Sequence, residues 1–144
     1  MRAVVQRVSQ ASVKVDQKII GSIQKGLLIY LGIHEKDTED HALKMASKIH
    51  NLRIFEDEAG KMNLNLDQIN GSILAISQFT LYGDTKGNNR PSFISAARPE
   101  VANPLYEKVC NLLSASHVVE KGSFGAHMEV ESINDGPVTI TIEI

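Results

Sequence analysis

The longest apolar run of this chain, Gly26–Ile33, extends over eight residues without a charged side chain. An apolar run that does not alternate with polar residues indicates a β-strand covered on both faces. We therefore expect this run to form a central strand of a layered fold. The run is far shorter than the roughly 20 apolar residues that span a bilayer. The sequence therefore predicts no transmembrane segment and no membrane partner.

Alternating apolar and polar residues predict further strands, arranged as an N-terminal meander, central strands and a C-terminal hairpin. We predict the strands at Ala3–Val8, Ser12–Val15, Lys18–Ile23, Gly26–Ile33, Leu52–Phe55, Ile73–Ile76, Val118–Glu120, Ala126–Ile133 and Val138–Ile144. In the last of them isoleucine and valine alternate with threonine and glutamate, which is typical of a strand buried on one face.

Two segments have the helical apolar period of amphipathic helices. The predicted boundaries are a cap at Asp37 or Thr38 and an end near Asn51 for the first, and a start at Pro99 or Asn103 and an end near Ser116 for the second. The fold class is therefore α/β, with mixed β-sheets and two main helices on one outer face. A length of 144 residues suits one domain, residues 1–144, with a single core.

Cysteine content and charge limit the classes of function. The single cysteine, Cys110, excludes a disulfide framework and predicts a reducing, cytoplasmic location, with Cys110 as a buried structural thiol. The net charge of −2 counts against a strong nucleic-acid ligand. However, residues 1–26 hold five basic residues and one acidic residue. This asymmetry permits a surface that faces phosphate without requiring one.

Standard cofactor and catalytic motifs are absent from the sequence. There is no glycine-rich dinucleotide fingerprint, P-loop, zinc-protease helix or nucleophile elbow, so we predict no cofactor. The five histidines stand apart, with no pair at helical spacing, and we interpret each as a surface or core residue rather than a metal ligand. These histidines are His34, His41, His50, His117 and His127.

The strand at Ile73–Ile76 runs into the segment Ser77-Gln78-Phe79-Thr80. One interpretation is structural, with hydroxyls satisfying loose backbone groups at the strand end. The other is a site in which successive N–H groups stabilise an oxyanion, while Thr80 contacts a ligand or acts as a nucleophile. Because the sequence places no base beside Thr80, we favour a positioning role for it.

The second candidate segment is Asn134–Thr139, which lies between two alternating segments. Asp135-Gly136 is typical of a hairpin turn, but Pro137 cannot donate to a ladder and fits an edge or a special loop better. Proline readily adopts a cis peptide bond, and glycine is free in φ. A cis Gly-Pro pair directs two carbonyl oxygens in nearly the same direction, which makes a rigid acceptor surface.

Six blocks in order along the whole chain resemble the D-aminoacyl-tRNA deacylases. They are Met1–Val8, Gly60–Leu64, Ser77–Leu81, Arg90–Phe93, Phe124–Met128 and Asn134–Thr139. The resemblance implies hydrolysis of the ester between a D-amino acid and the 3′-terminal ribose of tRNA, a proofreading reaction that releases both products. It also implies a homodimer with a barrel-like β assembly.

The resemblance implies two groups of site residues. The reaction centre corresponds to Ser77, Gln78, Phe79 and Thr80, and the substrate-binding group to Arg7, Ala126, Met128, Asn134, Gly136, Pro137, Val138 and Thr139. The cis Gly-Pro pair reaches into the partner subunit's pocket and rejects L-amino acids by exclusion, whereas glycine is not fully rejected. Arg7 braces this pair, although an exposed strand charge is an alternative for Arg7.

Two other functions remain open at this point. The first is a generic esterase or peptidase in which Thr80 is the nucleophile, helped by a base such as His127. The second is a non-catalytic RNA-binding dimer, in which Gly136 and Pro137 form only a subunit contact. The scattered aromatic residues do not form a base-stacking stripe and weaken the RNA-binding alternative.

Overall fold

Eight strands, two α-helices and two short 3₁₀ helices make up the fold, and the computed structural model describes residues 1–144. The elements are β1 (Arg2–Val15), β2 (Lys18–Ile23), β3 (Gly26–Gly32), α1 (Glu39–His50), β4 (Phe55–Glu56), β5 (Met62–Leu64), a 3₁₀ helix (Asp67–Ile69), β6 (Ser72–Ser77), a 3₁₀ helix (Phe79–Tyr82), α2 (Pro99–Ser114), β7 (Val119–Lys121) and β8 (Glu129–Glu143). Neither α-helix combines the length and apolar character that a bilayer-spanning helix requires.

Six strands form one mixed sheet, and β4 and β5 pair separately. The order in the large sheet is β2-β1-β3-β6-β7, and β8 pairs with β1. β1 is antiparallel to β2, β3 and β8, while the β3–β6 and β6–β7 pairs are parallel. Parallel neighbours require long crossovers, and these contain α1 and α2. The α/β class with a mixed sheet is thus confirmed.

β3 lies between two hydrophobic cores. Leu27 and Ile29 pack in the larger core, which includes buried residues of both helices. Leu28 points to the other side and packs with Val13 and Leu74 in a smaller core. The predicted coverage of both faces of this strand is therefore confirmed. The larger core also places α1 and α2 against the same side of the sheet.

The two helix predictions are confirmed. Thr38 caps α1, and its backbone N–H donates to Nδ1 of His41 at 3.1 Å. Asn51 is the C-cap, as expected. For α2 the earlier of the two predicted starts is correct, because Pro99 occupies the first turn, where a missing N–H costs little. Pro104 lies inside this helix.

Several strand predictions are wrong. β1 is one strand of 14 residues rather than two, and it pairs with β2 through its second half and with β3 through its first half. The N-terminal region is therefore not a sequential meander. β8 is likewise one strand of 15 residues, so no C-terminal hairpin exists. The strand predicted at Leu52–Phe55 begins only at Phe55, because Leu52 still donates to Ile49 at the end of α1.

The ladder between β1 and β8 contains one large irregularity. Gln6 is opposite Thr139, and Val8 is opposite Asn134. A single residue of β1, Arg7, therefore faces the four residues of Asp135–Val138. We call these four residues the Asp135–Val138 excursion. A bulge of this kind bends its strand and redirects backbone groups away from the ladder.

Cys110 lies buried on α2, as predicted, and this burial raises the pKa of its thiol to about 11. We expect the native protein to resist a thiol reagent such as DTNB at pH 8 and to react at once in urea. Since the unfolded thiol ionises near its ordinary pKa of 9.0, stability should fall as pH rises from that value towards 11. Rapid labelling of the native protein at pH 8 would contradict this burial.

Candidate active site

The Ser77–Thr80 segment lies where the parallel strands β3 and β6 end at the same edge of the sheet. Gln78 N–H donates to the carbonyl of Leu31 at 2.8 Å, and Leu81 N–H donates to the carbonyl of Gln78 at 3.3 Å. Between them, the Phe79 and Thr80 amides have no protein acceptor, as expected for the first N–H groups of a short helix. Two adjacent backbone donors are therefore free at this edge.

The hydroxyl of Thr80 is exposed and accepts a hydrogen bond from Nε2 of Gln78. Neither a histidine nor a carboxylate is hydrogen-bonded to this hydroxyl. A hydroxyl without a base to remove its proton is a weak nucleophile. The geometry therefore suits a Thr80 that contacts or orients a ligand.

A cavity of about 580 Å³ opens beside Phe79, the first of the two residues with free amides. This volume is in the range of small-molecule sites, which extends from roughly 300 to 1,000 Å³. Its walls are mainly apolar. The lining includes five predicted site residues, Ser77, Gln78, Phe79, Ala126 and Met128. Thr80, Arg7 and the predicted residues from Asn134 to Thr139 do not line it.

The first half of α2 supplies part of the cavity wall that sequence reasoning missed. Arg98 contributes a cation, and Tyr106 contributes a ring whose hydroxyl donates to the carbonyl of Ala75 at 2.9 Å. Burial raises the pKa of Tyr106, so its phenol stays neutral and cannot act as a base. Phe93 packs edge-on against Phe79, with ring centroids 5.1 Å apart. In the sequence, Pro99 indicated where α2 begins, but no residue pattern indicated that this helix contacts a cavity.

The side chain of Arg7, on the opposite strand β1, hydrogen-bonds to the first residue of the Asp135–Val138 excursion. The Arg7 side chain is only 7 % exposed, so it is not the exposed strand charge considered above. Its Nε donates to the carbonyl of Asp135 at 3.1 Å, and its Nη1 donates to the carbonyl of Ile54 at 2.9 Å. The guanidinium therefore links the base of the excursion to the segment that precedes β4.

The backbone of the excursion is unusual at Gly136 and Pro137. The peptide bond that joins these two residues is cis, and Gly136 has a φ of 129°. Backbone with this φ is largely restricted to glycine. The predicted alternative of a simple hairpin turn is wrong, because the same strand continues on both sides.

Side chains of two predicted site residues, Asn134 and Thr139, close the base of the excursion. Oδ1 of Asn134 accepts a hydrogen bond from the Val138 N–H at 3.2 Å, and Nδ2 of Asn134 donates to Oγ1 of Thr139 at 3.0 Å. Gln6 on β1 also donates to the Thr139 hydroxyl, at 3.2 Å. These bonds join the two ends of the excursion, so its tip projects from a braced support.

The fold and cavity define an α/β protein with a ligand site at the carboxyl edge of a mixed sheet. The model of the D-Tyr-tRNA(Tyr) deacylase family matches residues 4–143. The chain therefore belongs to this family.

Curated relatives agree with the family match. The chain is 52 % identical to the D-aminoacyl-tRNA deacylase of Thermotoga petrophila and 54 % identical to that of Fervidobacterium nodosum. Each alignment extends over 144 residues and covers 99 % of this chain and 97 % of the relative.

Solved structures show the same fold. The c-Myc DNA Unwinding Element Binding Protein superposes with a TM-score of 0.94 at 40 % identity, covering 100 % of this chain and 99 % of that protein. A probable eukaryotic D-amino acid tRNA deacylase gives a TM-score of 0.87 at 17 % identity, with 99 % and 98 % coverage. The second likeness supports the fold alone.

Proposed function

We propose that this protein hydrolyses the ester of D-aminoacyl-tRNA in the cytoplasm and releases free tRNA and the D-amino acid. The observation that carries the proposal is the pair of free amides at Phe79 and Thr80, the first of which belongs to a residue that lines an apolar cavity. Membership of the deacylase family and relatives that are more than half identical support the same reaction.

In the proposed reaction, water attacks the carbonyl carbon of the ester. The amides of Phe79 and Thr80 stabilise the oxyanion that forms, because fixed backbone donors need no reorganisation during the reaction. The bond between the acyl carbon and the ribose oxygen then breaks, and the ribose oxygen takes the proton that water loses. The neighbouring ribose hydroxyl already activates this ester. The reaction therefore needs no general base from the protein.

The cavity supplies contacts for the 3′ end of the substrate. Phe79 and Phe93 present aromatic surface, on which a base or an aromatic amino acid can pack. Arg98 adds a positive charge that suits a phosphate of the tRNA backbone. Such a site binds the end of the tRNA through shape and charge rather than through its sequence.

We propose that the active protein is a homodimer in which the partner subunit's Gly136 and Pro137 complete the cavity. Neither residue lines the cavity of its own subunit, and both residues are exposed at the tip of the excursion. β8 also exposes Ile133, which is 53 % accessible and available for burial against a second copy. Carbonyl oxygens at this place exclude the side chain of an L-amino acid while a D-side chain points elsewhere.

A matched deacylation assay tests the proposed function. D-tyrosyl-tRNA and L-tyrosyl-tRNA are incubated separately with the protein, together with glycyl-tRNA. We expect rapid loss of the D-ester, protection of the L-ester, and an intermediate rate for glycine, which has no side chain to exclude. Equal rates for the D- and L-esters would rule out the proposed selection. Sedimentation of the same preparation should show a dimer.

Thr80→Ala separates a positioning role from a nucleophilic one. Because the Thr80 hydroxyl contacts only Gln78, we expect kcat to fall by about tenfold or less. Loss of a covalent nucleophile would lower kcat far more, by roughly 10⁴-fold or beyond. Single-turnover deacylation measures the difference, with Thr85→Ala in the exposed loop as the control.

Covalent trapping provides the complementary measurement for Thr80. If the generic esterase mechanism operated, mass spectrometry of quenched reactions would find an acyl group on this residue. We expect the wild-type protein to remain unmodified throughout turnover. Complete inactivity of a folded Thr80→Ala protein that still binds tRNA would likewise contradict the positioning role.

A further inference from the structure

Three side chains of the types that bind metal ions meet far from the candidate active site. His50 is on the last turn of α1, Asp67 begins the first 3₁₀ helix, and His117 follows α2. One donor atom from each residue lies within 4.8 Å of the other two. The two histidines are 67 positions apart in the sequence, and the fold brings their rings into contact.

The contacts within this His50-Asp67-His117 cluster are close. Nδ1 of His50 lies 3.0 Å from Nε2 of His117. Nε2 of His50 and Nδ1 of His117 each lie 3.4 Å from a carboxylate oxygen of Asp67. The His117 side chain is only 2 % exposed, whereas those of His50 and Asp67 are partly open to solvent. The cluster is therefore built on one buried ligand with an accessible side.

Of these three contacts, only that between the two rings has the geometry of a hydrogen bond. The Asp67 carboxylate lies near the two remaining ring nitrogens without a hydrogen bond to either. These two nitrogens and the carboxylate therefore remain available as ligands for a cation.

We propose that His50, Asp67 and His117 bind a divalent transition-metal ion. Two imidazoles and one carboxylate form a ligand set that suits Zn²⁺ and leaves a position for water. Tetrahedral zinc holds its ligand atoms roughly 3.3 Å apart. Because the donor atoms lie within 4.8 Å of one another, side-chain movements of about 1.5 Å or less bring them to this spacing. An open groove of about 240 Å³ beside His50 gives solvent access.

The proposed ion fastens three elements of the fold rather than taking part in the deacylation. It joins the C-terminal ends of both helices to the loop that precedes β6. The active-site cavity lies along the first half of α2, and the helical residues that follow Tyr106 rise roughly 12 Å towards the cluster. The site therefore acts as a structural clip, and its occupancy can be measured independently of the proposed hydrolysis.

Calorimetric titration with ZnCl₂ at pH 7.5 tests the site in protein that has been treated with a chelator and desalted. We expect one Zn²⁺ per chain, and Co²⁺ should give visible absorption typical of nitrogen and oxygen ligands. His50→Ala and Asp67→Asn should weaken Zn²⁺ binding more than about tenfold. His41→Ala, at the opposite end of α1, should bind Zn²⁺ as the wild type does.

Thermal melting provides a second readout and controls for folding. A Zn²⁺ concentration about 100-fold above Kd should raise Tm of the wild type by roughly 5–10 °C. The metal-free variants should melt cooperatively but show little change with Zn²⁺. Wild-type protein that binds no Zn²⁺, or His50→Ala and Asp67→Asn proteins that bind it with unchanged affinity, would overturn the proposal.

Discussion

Replacing Gly136 with alanine is expected to lower kcat/KM for a D-aminoacyl-tRNA roughly 100-fold and to reduce the preference for the D-ester. A Cβ atom at this position would lie 2.8 Å from Cγ2 of Val138 and 3.0 Å from Nη2 of Arg7. It would also force an L-residue to adopt a φ of 129°. Relief of these clashes moves the carbonyl groups of the excursion and weakens the proposed exclusion of L-amino acids.

Initial rates with matched D- and L-tyrosyl-tRNA measure this effect. Gly87→Ala is the matched control, because a Cβ at Gly87 meets nothing within 4 Å and its backbone is unrestricted. The control should retain wild-type rates and selectivity. Rates and D/L ratios of Gly136→Ala within about twofold of the wild type would show that the excursion does not contribute to selection.

Arg7→Ala is expected to lower the free energy of unfolding by about 2–4 kcal/mol. The change removes two hydrogen bonds to the carbonyls of Asp135 and Ile54 from a side chain that is almost fully buried. It also removes the cation that faces the carboxylates of Asp135 and Glu56, at 3.4 and 3.8 Å. Both carboxylates are largely exposed, so these ion pairs contribute the smaller part.

Urea unfolding measures this loss of stability. Arg53→Ala is a suitable control, because Arg53 is exposed and hydrogen-bonds only to the nearby Asn63. We expect the control to lose less than about 1 kcal/mol. Arg7→Lys should lose an amount of stability between those of Arg7→Ala and Arg53→Ala, since a single ammonium group cannot reach both carbonyls in the same geometry. Equal losses for Arg7→Ala and Arg53→Ala would remove the argument for a bracing role.

Local sequence patterns predicted the elements whose environment is uniform along their length. The unbroken apolar run identified β3, because both faces of this strand are buried. The alternation of apolar and polar residues in β8 correctly predicted that Val138 and Ile142 are buried. A capping threonine and an initial proline located the two helices. In each case the feature that determines the element lies within a few residues of it.

The continuity of β1 and β8 was not predictable, because one irregularity disturbs both sequences. Register shifts on either side of Val8 interrupt the alternation of β1, and the four residues of the excursion interrupt β8. Each interruption resembles a strand end when its own sequence is considered alone. Only the pairing of the two strands shows that Arg7 and Gly136 belong to the same feature.

The cavity residues that the sequence predicted lie in short segments of the chain. Ser77, Gln78 and Phe79 line the cavity, and their strand-end position in the sequence suggested this. The contributions of Arg98 and Tyr106 depend on how α2 packs over the end of the sheet. The meeting of His50 with His117 depends on the same helix packing. Sequence spacing contains no direct signal for either contact.

The paired strands on both sides of the Asp135–Val138 excursion restrict insertions and deletions there. If one residue were deleted, either the tip would retract, or β8 beyond Thr139 would slip against β1 by one position. A slip of one position would turn Ile140 and Ile142 outward and bring threonine side chains into the core. The length of this short segment is therefore coupled to the register of the whole final strand.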